Sequence, residues 1–500
     1  MPLTAEPALV AALRADLCAV EYTVEHLARL LGPVASAALA REQVLPTEQV
    51  TRENPDPAAV LVRLFTLGDP VDAALVDRAL PTLTAGGAVA LGIARFEGDA
   101  LVANCDLRPY GDERHTWWVA SDHSELATRA PLAPDHVLGI GAASTTLATW
   151  TPRPHAARAL DLGTGCGVQA LHLSGHCDHV IVTDVSERAL GYARFNAALN
   201  EQTWEVRRGS MLEPVAGQEF DLIVSNPPFV ITPRDPDMPT YEYRDGGGHG
   251  DSVVEHLVTH LGAHLAPGGI AQLLGNWEIV GDGAWTDRIG QWARRSGVDV
   301  WVVQRDVQDP AQYAETWARD GGHQAASAEF AVMYAAWLAD FAARGVTSIG
   351  FGVITLHRPQ TDREPFVDLL DAQGAIAEPM GAGIRAGIAA RVWLAEHTDS
   401  EILDDAWTVA PDVTIENHFV PGEADPRAIL ARKAGGIAGV DRLDTEAAAF
   451  LSVADGELTA RAALTSIAAV LDRPAADVIS GVLPRLKAWI AAGVVHNTVA

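Results

Sequence analysis

At 500 residues with 48% apolar content, the chain is too long for one hydrophobic core and rich enough to fill two or three. It carries 36 basic against 65 acidic residues, a net charge of −29, and is acidic in every third of its length; an extended phosphate-neutralising clamp is excluded, and duplex DNA is disfavoured as a partner. No apolar run approaches the roughly 18 residues of a bilayer span, no basic-then-apolar leader opens the chain, and Cys18, Cys105, Cys166 and Cys177 form no Cys-x-x-Cys pair, so a cytoplasmic protein with reduced thiols and no membrane partner is expected.

Helical spacing of apolar residues from Leu9 to Leu31, a helix-turn-helix pattern over Ala58–Phe65 and Ala73–Leu80, and two strand-like stretches around Glu97-Gly98-Asp99 predict a winged-helix-like domain over residues 1–136. Its acidity makes a packing or substrate-presenting appendage the better reading than a DNA reader. From Arg158 the pattern turns to strand–helix alternation. Strands are expected at Arg158–Leu162, Val180–Asp184, Glu205–Arg207, Phe220–Ser225, Gly269–Leu274, Val298–Val303 and Ile349–His357, with helices over 186–199 and 251–265 and a helical insertion at Pro310–Ala343. Alternation of this kind predicts an α/β domain over 137–358, a Rossmann-like parallel sheet covered on both faces. Residues 359–500 are irregular at first and then helical (Leu458–Leu471, Ala475–Ala492), an α-rich region that could be a degenerate winged helix.

Asp161-Leu162-Gly163-Thr164-Gly165-Cys166-Gly167 follows the first of these strands and opens a helix. Glycines there let the backbone turn sharply and approach a ligand. The next strand ends in Asp184, 17 residues after Gly167, where a carboxylate can accept from both ribose hydroxyls. Asp184 could instead cap a helix and Asp161 hold a turn, but the residues occur together in the right order. A dinucleotide site would more commonly show Gly-x-Gly-x-x-Gly; this loop is Gly-x-Gly-x-Gly with an acid directly before it.

Ser225-Asn226-Pro227-Pro228-Phe229 ends the apolar strand Phe220–Val224. As an isolated tetrapeptide Asn-Pro-Pro-Phe could simply terminate a strand; about 60 residues after a matching glycine loop it reads as chemistry. A planar nitrogen has its lone pair delocalised. Two acceptors, the Asn226 side-chain oxygen and the Pro227 carbonyl, can hold its N–H groups and favour pyramidalisation as charge develops. Phe229 offers a flat face for a base or amide plane.

These motifs resemble the Asn-Pro-Pro-Tyr/Phe branch of class I methyltransferases, which includes release-factor glutamine methyltransferases of the HemK type, ribosomal RNA guanine-N2 and adenine-N6 enzymes. The resemblance covers residues 137–303 and continues through Asp245-Gly246-Gly247-Gly248 and Leu265-Ala266-Pro267-Gly268-Gly269. It implies a seven-stranded fold and S-adenosylmethionine as cofactor. The implied cofactor-binding residues are Asp161, Gly163, Thr164, Gly165, Gly167, Asp184, Val185, Ser210, Met211 and Asn226, and the implied catalytic set is Asn226, Pro227, Pro228 and Phe229. Where related enzymes often carry an acid for the adenine amino group, this chain has Gly209-Ser210-Met211, so that contact is expected to pass to a backbone amide. Acidity favours a protein side-chain amide as acceptor, with an exocyclic amine of RNA as the alternative and a non-catalytic cofactor-binding regulator as a third reading.

The histidine groups His115, His123, His136 and His256, His260, His264 lack a His-Glu-x-x-His companion, so no metal site is expected. The stretch Ile231–Gly250, with Pro233, Pro236, Pro239, Tyr241 and Tyr243, reads as a substrate-covering lid.

Overall fold

Strands that are buried on both faces need a nearly continuous apolar run, and Ala159–Leu162, interrupted by buried Asp161, Val180–Val182 and Leu222–Val224 supply it at the centre of one large sheet. The structure, a computed structural model, describes residues 3–41, 43–128, 132–234, 241–320, 327–374, 376–437 and 439–497. The sheet is built from β1 (Ala156–Leu162), β2 (Cys177–Asp184), β3 (Trp204–Arg208), β4 (Phe220–Ser225), β5 (Leu265–Val280), β6 (Asp299–Gln308), β7 (Val346–His357) and β8 (Val367–Asp371). Its spatial order is β8-β6-β7-β5-β4-β1-β2-β3. Only β7 runs antiparallel to its neighbours. Connecting helices are α1 (Val168–Ser174), α2 (Glu187–Leu199), α3 (Ser252–His260), α4 (Trp285–Ser296), α5 (Pro310–Asp320) and α6 (Ala328–Arg344), the last two forming the expected insertion between β6 and β7.

The sheet has one strand more than the expected seven. β8 pairs in parallel with β6, and Asp299 at the start of β6 holds the chain leading into it: its buried carboxylate accepts from Arg363 Nη1 and Nη2 at 2.7 and 2.6 Å, His357 Nδ1 at 2.8 Å and the Phe366 amide at 3.0 Å. The helix Gly381–Glu396 then packs Met380, Ile384 and Ile388 against Trp301 and Val303 of β6. A division at residue 358 therefore cuts through one sheet and its cover.

Nor does packing change hands at residue 136. A hairpin, Asp106–Gly111 with Thr116–Ser121, lies on α2, and two asparagines one helical turn apart take the place of a neighbouring strand. The Asn196 amide accepts from Ala120 N and donates to Ala120 O, both at 2.8 Å; Asn200 does the same for Trp118 at 2.9 and 2.8 Å. Asn196 also donates to the Cys166 carbonyl of the glycine loop at 2.8 Å. Residues Val10 to Ala120 accordingly share one core with Cys166, Val168, Leu171, Tyr192 and Phe195. The amino-terminal part contains helices Pro7–Ala19 and Val24–Leu39, Ala73–Ala79 and Thr84–Leu91, and a three-stranded sheet formed by Val71–Asp72, Ala94–Glu97 and Ala100–Ala103. The carboxy-terminal part has its own core under helices Thr445–Val453, Ala460–Val470 and Ala475–Ala492. It also holds a three-stranded sheet over Val413–Leu443, where the sequence reads as irregular. No helix among the described residues is long and apolar enough to cross a membrane.

Candidate active site

Strand order reverses at β1, whose neighbours are β2 on one side and β4 on the other, and ligands of open α/β sheets bind outside the carboxyl ends at such a point. The register makes this specific. Leu162, the last residue of β1, pairs with Ser225, the last of β4, and Ser225 Oγ donates to the Leu162 carbonyl at 2.8 Å. The glycine loop and the Asn-Pro-Pro-Phe loop thus leave the sheet side by side and wall one cavity of about 440 Å³.

On the β1 side the loop is fixed from below. The amides of Gly163 and Thr164 both donate to the Thr183 carbonyl, at 3.0 and 2.9 Å, and the Gly165 amide donates to Asp184 Oδ2 at 2.9 Å. Gly163 and Gly165 have φ of +73° and +55°, where side chains are strained. A Cβ at either would meet no protein atom within 4 Å; it would project into the open cradle. Asp184 Oδ1 accepts the Ser186 amide at 2.9 Å, so each oxygen is oriented by one backbone donor and retains accepting capacity toward the cavity. Burial pushes its carboxyl above the ordinary carboxylate value.

The remaining predicted residues divide. Thr164, Val185, Ser210, Met211, Asn226, Pro227 and Pro228 line the cavity with Gly163, Gly165 and Asp184. Asp161, Gly167 and Phe229 do not. Asp161 stands behind the glycine loop, fully buried, with Oδ2 accepting Thr164 Oγ1 at 2.6 Å and the Ala170 amide at 3.1 Å. Its Oδ1 has no partner among the described residues, and burial raises its pKa from 3.8 to about 7. Gly167 serves packing: at φ +93° its missing Cβ leaves room for the Trp204 ring, which would lie 2.6 Å away. Phe229 turns from the cavity toward Trp317 of α5, edge to face with centroids 6.2 Å apart. Met211 is held at φ +47°, an uncommon backbone for a non-glycine residue, directly after Ser210, where related enzymes often place their acid.

Several wall residues carry no motif in the sequence. His136 to Gly139, Ser144, Gln169, Glu242 and Tyr243 close the cavity from segments far apart in the chain. The Glu242 amide donates to the Pro134 carbonyl at 2.9 Å and His136 meets Tyr243 edge to face at 5.7 Å, joining the two lips. Asp122 anchors the His136 segment, accepting the Val137 amide at 2.8 Å and Tyr192 Oη at 2.6 Å. Of the expected lid, residues 235–240 lie outside the described residues. The flanking parts pair with each other through the Phe229–Asp245 bridge and the Val230 amide to Arg244 carbonyl bond of 2.9 Å.

Asn226 directly follows β4 and lines the cavity. Its Oδ1 is buried and has no hydrogen-bond partner among the described residues. A buried amide oxygen left unpaired costs on the order of 1–3 kcal/mol; such a cost is sustained where a ligand group completes the bond. The positive-φ cradle, the oriented Asp184 carboxylate and the amide of Asn226 are a lining whose chemistry fits S-adenosylmethionine.

A sheet with three parallel strands on one flank, a single antiparallel strand inserted on the other, a glycine loop after β1 and an Asn-Pro-Pro loop after β4 give this domain the fold of class I methyltransferases. Residues 138–283 match the family model Methyltransferase small domain, and residues 19–104 match a Domain of unknown function (DUF7059). The chain is 33% identical over 162 residues to the release factor glutamine methyltransferase of Geobacter sulfurreducens, covering 30% of this chain and 55% of that protein. It is 40% identical over 124 residues to the enzyme of the same name from Deinococcus radiodurans, covering 22% and 43%. The chain thus spans about half the length of the curated relatives it matches. Among solved structures, a methyltransferase from Pyrococcus furiosus is similar at 19% identity over 43% of this chain and 80% of that one, with a TM-score of 0.26.

Proposed function

We propose that the chain methylates a planar nitrogen, and that its acceptor is a protein side-chain amide of the glutamine type. The observation that carries this reading is Asn226, a residue of the cavity wall whose buried Oδ1 has no hydrogen-bond partner among the described residues. S-adenosylmethionine, when bound, supplies a methyl group activated on a sulfonium. The chain's own part is orientation and electrostatics. Asn226 Oδ1 and the Pro227 carbonyl accept the two N–H groups of the acceptor, turning its lone pair toward the methyl and offsetting the positive charge that grows on nitrogen. Pro227 and Pro228 have no amide hydrogen and a fixed φ, which keeps the loop out of the ladder and its carbonyl aimed.

An amide is favoured over a nucleobase by the charge of −29, since RNA would need phosphates neutralised, and by the relatives whose name is release factor glutamine methyltransferase. The test is mass spectrometry of a purified bacterial peptide-chain release factor and of bacterial total RNA, each incubated with the protein and S-adenosylmethionine. A single methyl increment on a glutamine of the release factor is the expected result. Methyl gained only by RNA would overturn the amide assignment, and bound cofactor that is never consumed would favour a non-catalytic regulator.

A further inference from the structure

The Asn-Pro-Pro-Phe loop cannot hold itself in place. Two consecutive prolines remove two backbone donors where β4 ends, and buried backbone groups beyond them must find partners elsewhere. Two residues past Phe229, the buried Ile231 finds both of its partners in the helical insertion. Its amide donates to Tyr313 Oη of α5 at 2.8 Å, and its carbonyl accepts Trp337 Nε1 of α6 at 2.7 Å. Tyr313 and Trp337 are fully buried and lie 82 and 106 positions further along the chain.

An apolar hairpin core needs neither a phenol nor an indole N–H, because each brings a polar atom that must be paired. Here both polar atoms pair with the backbone of one residue of the acceptor loop. Tyr313 Oη is itself fixed from the sheet, accepting Asn276 Nδ2 of β5 at 2.8 Å. The same insertion holds the returning half of the loop: buried Arg244 donates through Nη1 to the Trp317 carbonyl at 2.7 Å and to Asp320 at 2.9 Å, and Tyr243 Oη donates to Asp320 at 2.8 Å.

We infer that the α5–α6 insertion sets the position of the acceptor loop, with Tyr313 and Trp337 as positioning residues that act through the Ile231 backbone on Asn226 and Phe229. The inference rests on the reading of Asn226 as the acceptor-orienting group. A misplacement of about 1 Å at a reacting centre can cost a hundredfold in rate, so the clamp acts on turnover with little effect on the cofactor, whose glycine loop it does not touch.

The test compares the protein with Tyr313→Phe, Trp337→Phe and a packing control, Met333→Ala, which opens the same hairpin core but removes no hydrogen bond to Ile231. Three quantities are read: hydrogen exchange of the 229–232 amides, S-adenosylhomocysteine affinity by calorimetry, and single-turnover methylation of a release-factor probe at saturating concentrations. Tyr313→Phe should speed Ile231 exchange about tenfold, leave cofactor affinity within twofold and slow transfer tenfold or more. Met333→Ala should lower the melting temperature with transfer unchanged. The inference is overturned if Tyr313→Phe and Trp337→Phe behave as the control does, losing stability while Ile231 protection and transfer stay as in the parent. If the parent itself transfers no methyl to the probe, the amide reading fails, and unchanged protection of Ile231 in Tyr313→Phe would still overturn the clamp on its own.

Discussion

Replacing Asp184 by alanine removes a carboxylate that is oriented twice by backbone, through Gly165 N on Oδ2 and Ser186 N on Oδ1, each at 2.9 Å. Both oxygens have lone pairs left for the two ribose hydroxyls. Hydrogen bonds to a charged acceptor contribute about 1.5–3 kcal/mol each. The substitution also frees the Gly165 amide, but Gly163 and Thr164 stay tied to the Thr183 carbonyl, so the loop persists and the loss is mainly that of the ribose contacts. At the lower end of that range for the two contacts, an affinity loss of about 3 kcal/mol, beyond a hundredfold, is expected at one factor of ten per 1.4 kcal/mol. Titration calorimetry with S-adenosylhomocysteine, run beside a thermal melt to establish that the variant is folded, measures it. Unchanged affinity in a folded Asp184→Ala protein would refute the placement of the ribose.

Gly167→Ala combines a left-handed φ with a Cβ 2.6 Å from the Trp204 ring, so it should lower the melting temperature by several degrees; a parental melting curve would remove the packing role given to this glycine. Asp161 offers a pH signature. Its pKa in the folded protein is raised to about 7 from an ordinary 3.8, so the folded state holds a proton that the unfolded chain has released, and this group's contribution to stability falls as pH rises from about 4 to about 7. Asp161→Asn can keep its oxygen on Thr164 and Ala170 with its amide nitrogen at the unpartnered position, and should flatten that dependence in melts of the cofactor-free protein. An equally steep decline in the variant would contradict the assignment.

What was legible in the sequence follows from where burial is two-sided. β1, β2 and β4 read directly because Leu160, Ile181 and Ile223 and their neighbours are covered on both faces, and the two site motifs could be joined because they end adjacent strands. β5 extends well past the expected Leu274 to Val280, and the apolar signal stops early because Gln272, Asn276 and Glu278 are buried with polar partners: Thr355 for Gln272, Tyr313 for Asn276, Arg344 for Glu278. β8 escaped because it is an edge strand, half exposed, with an aspartate at each end of its Leu369-Leu370 pair. The hairpin at 106–121 gave no clue to its seat, since its ladder partners are two asparagine side chains rather than a strand. Phe229 shows the limit of a motif: sequence places it against an acceptor, and the structure sets its ring on Trp317, a residue of an insertion that the motif does not contain.

The central claim is that Asn226 serves the transition state rather than the resting cofactor complex. If its unpartnered Oδ1 is completed by the acceptor nitrogen only as the methyl transfers, its loss should appear in the chemical step alone. The decisive measurement is single-turnover methyl transfer by Asn226→Ala beside cofactor calorimetry on the same preparation, using the acceptor identified by mass spectrometry. The account predicts cofactor affinity within about threefold of the parent and transfer slowed by about a hundredfold or more, the scale of one preorganised polar contact. Transfer at the full parental rate would contradict it and reduce the Asn-Pro-Pro-Phe segment to a strand terminator.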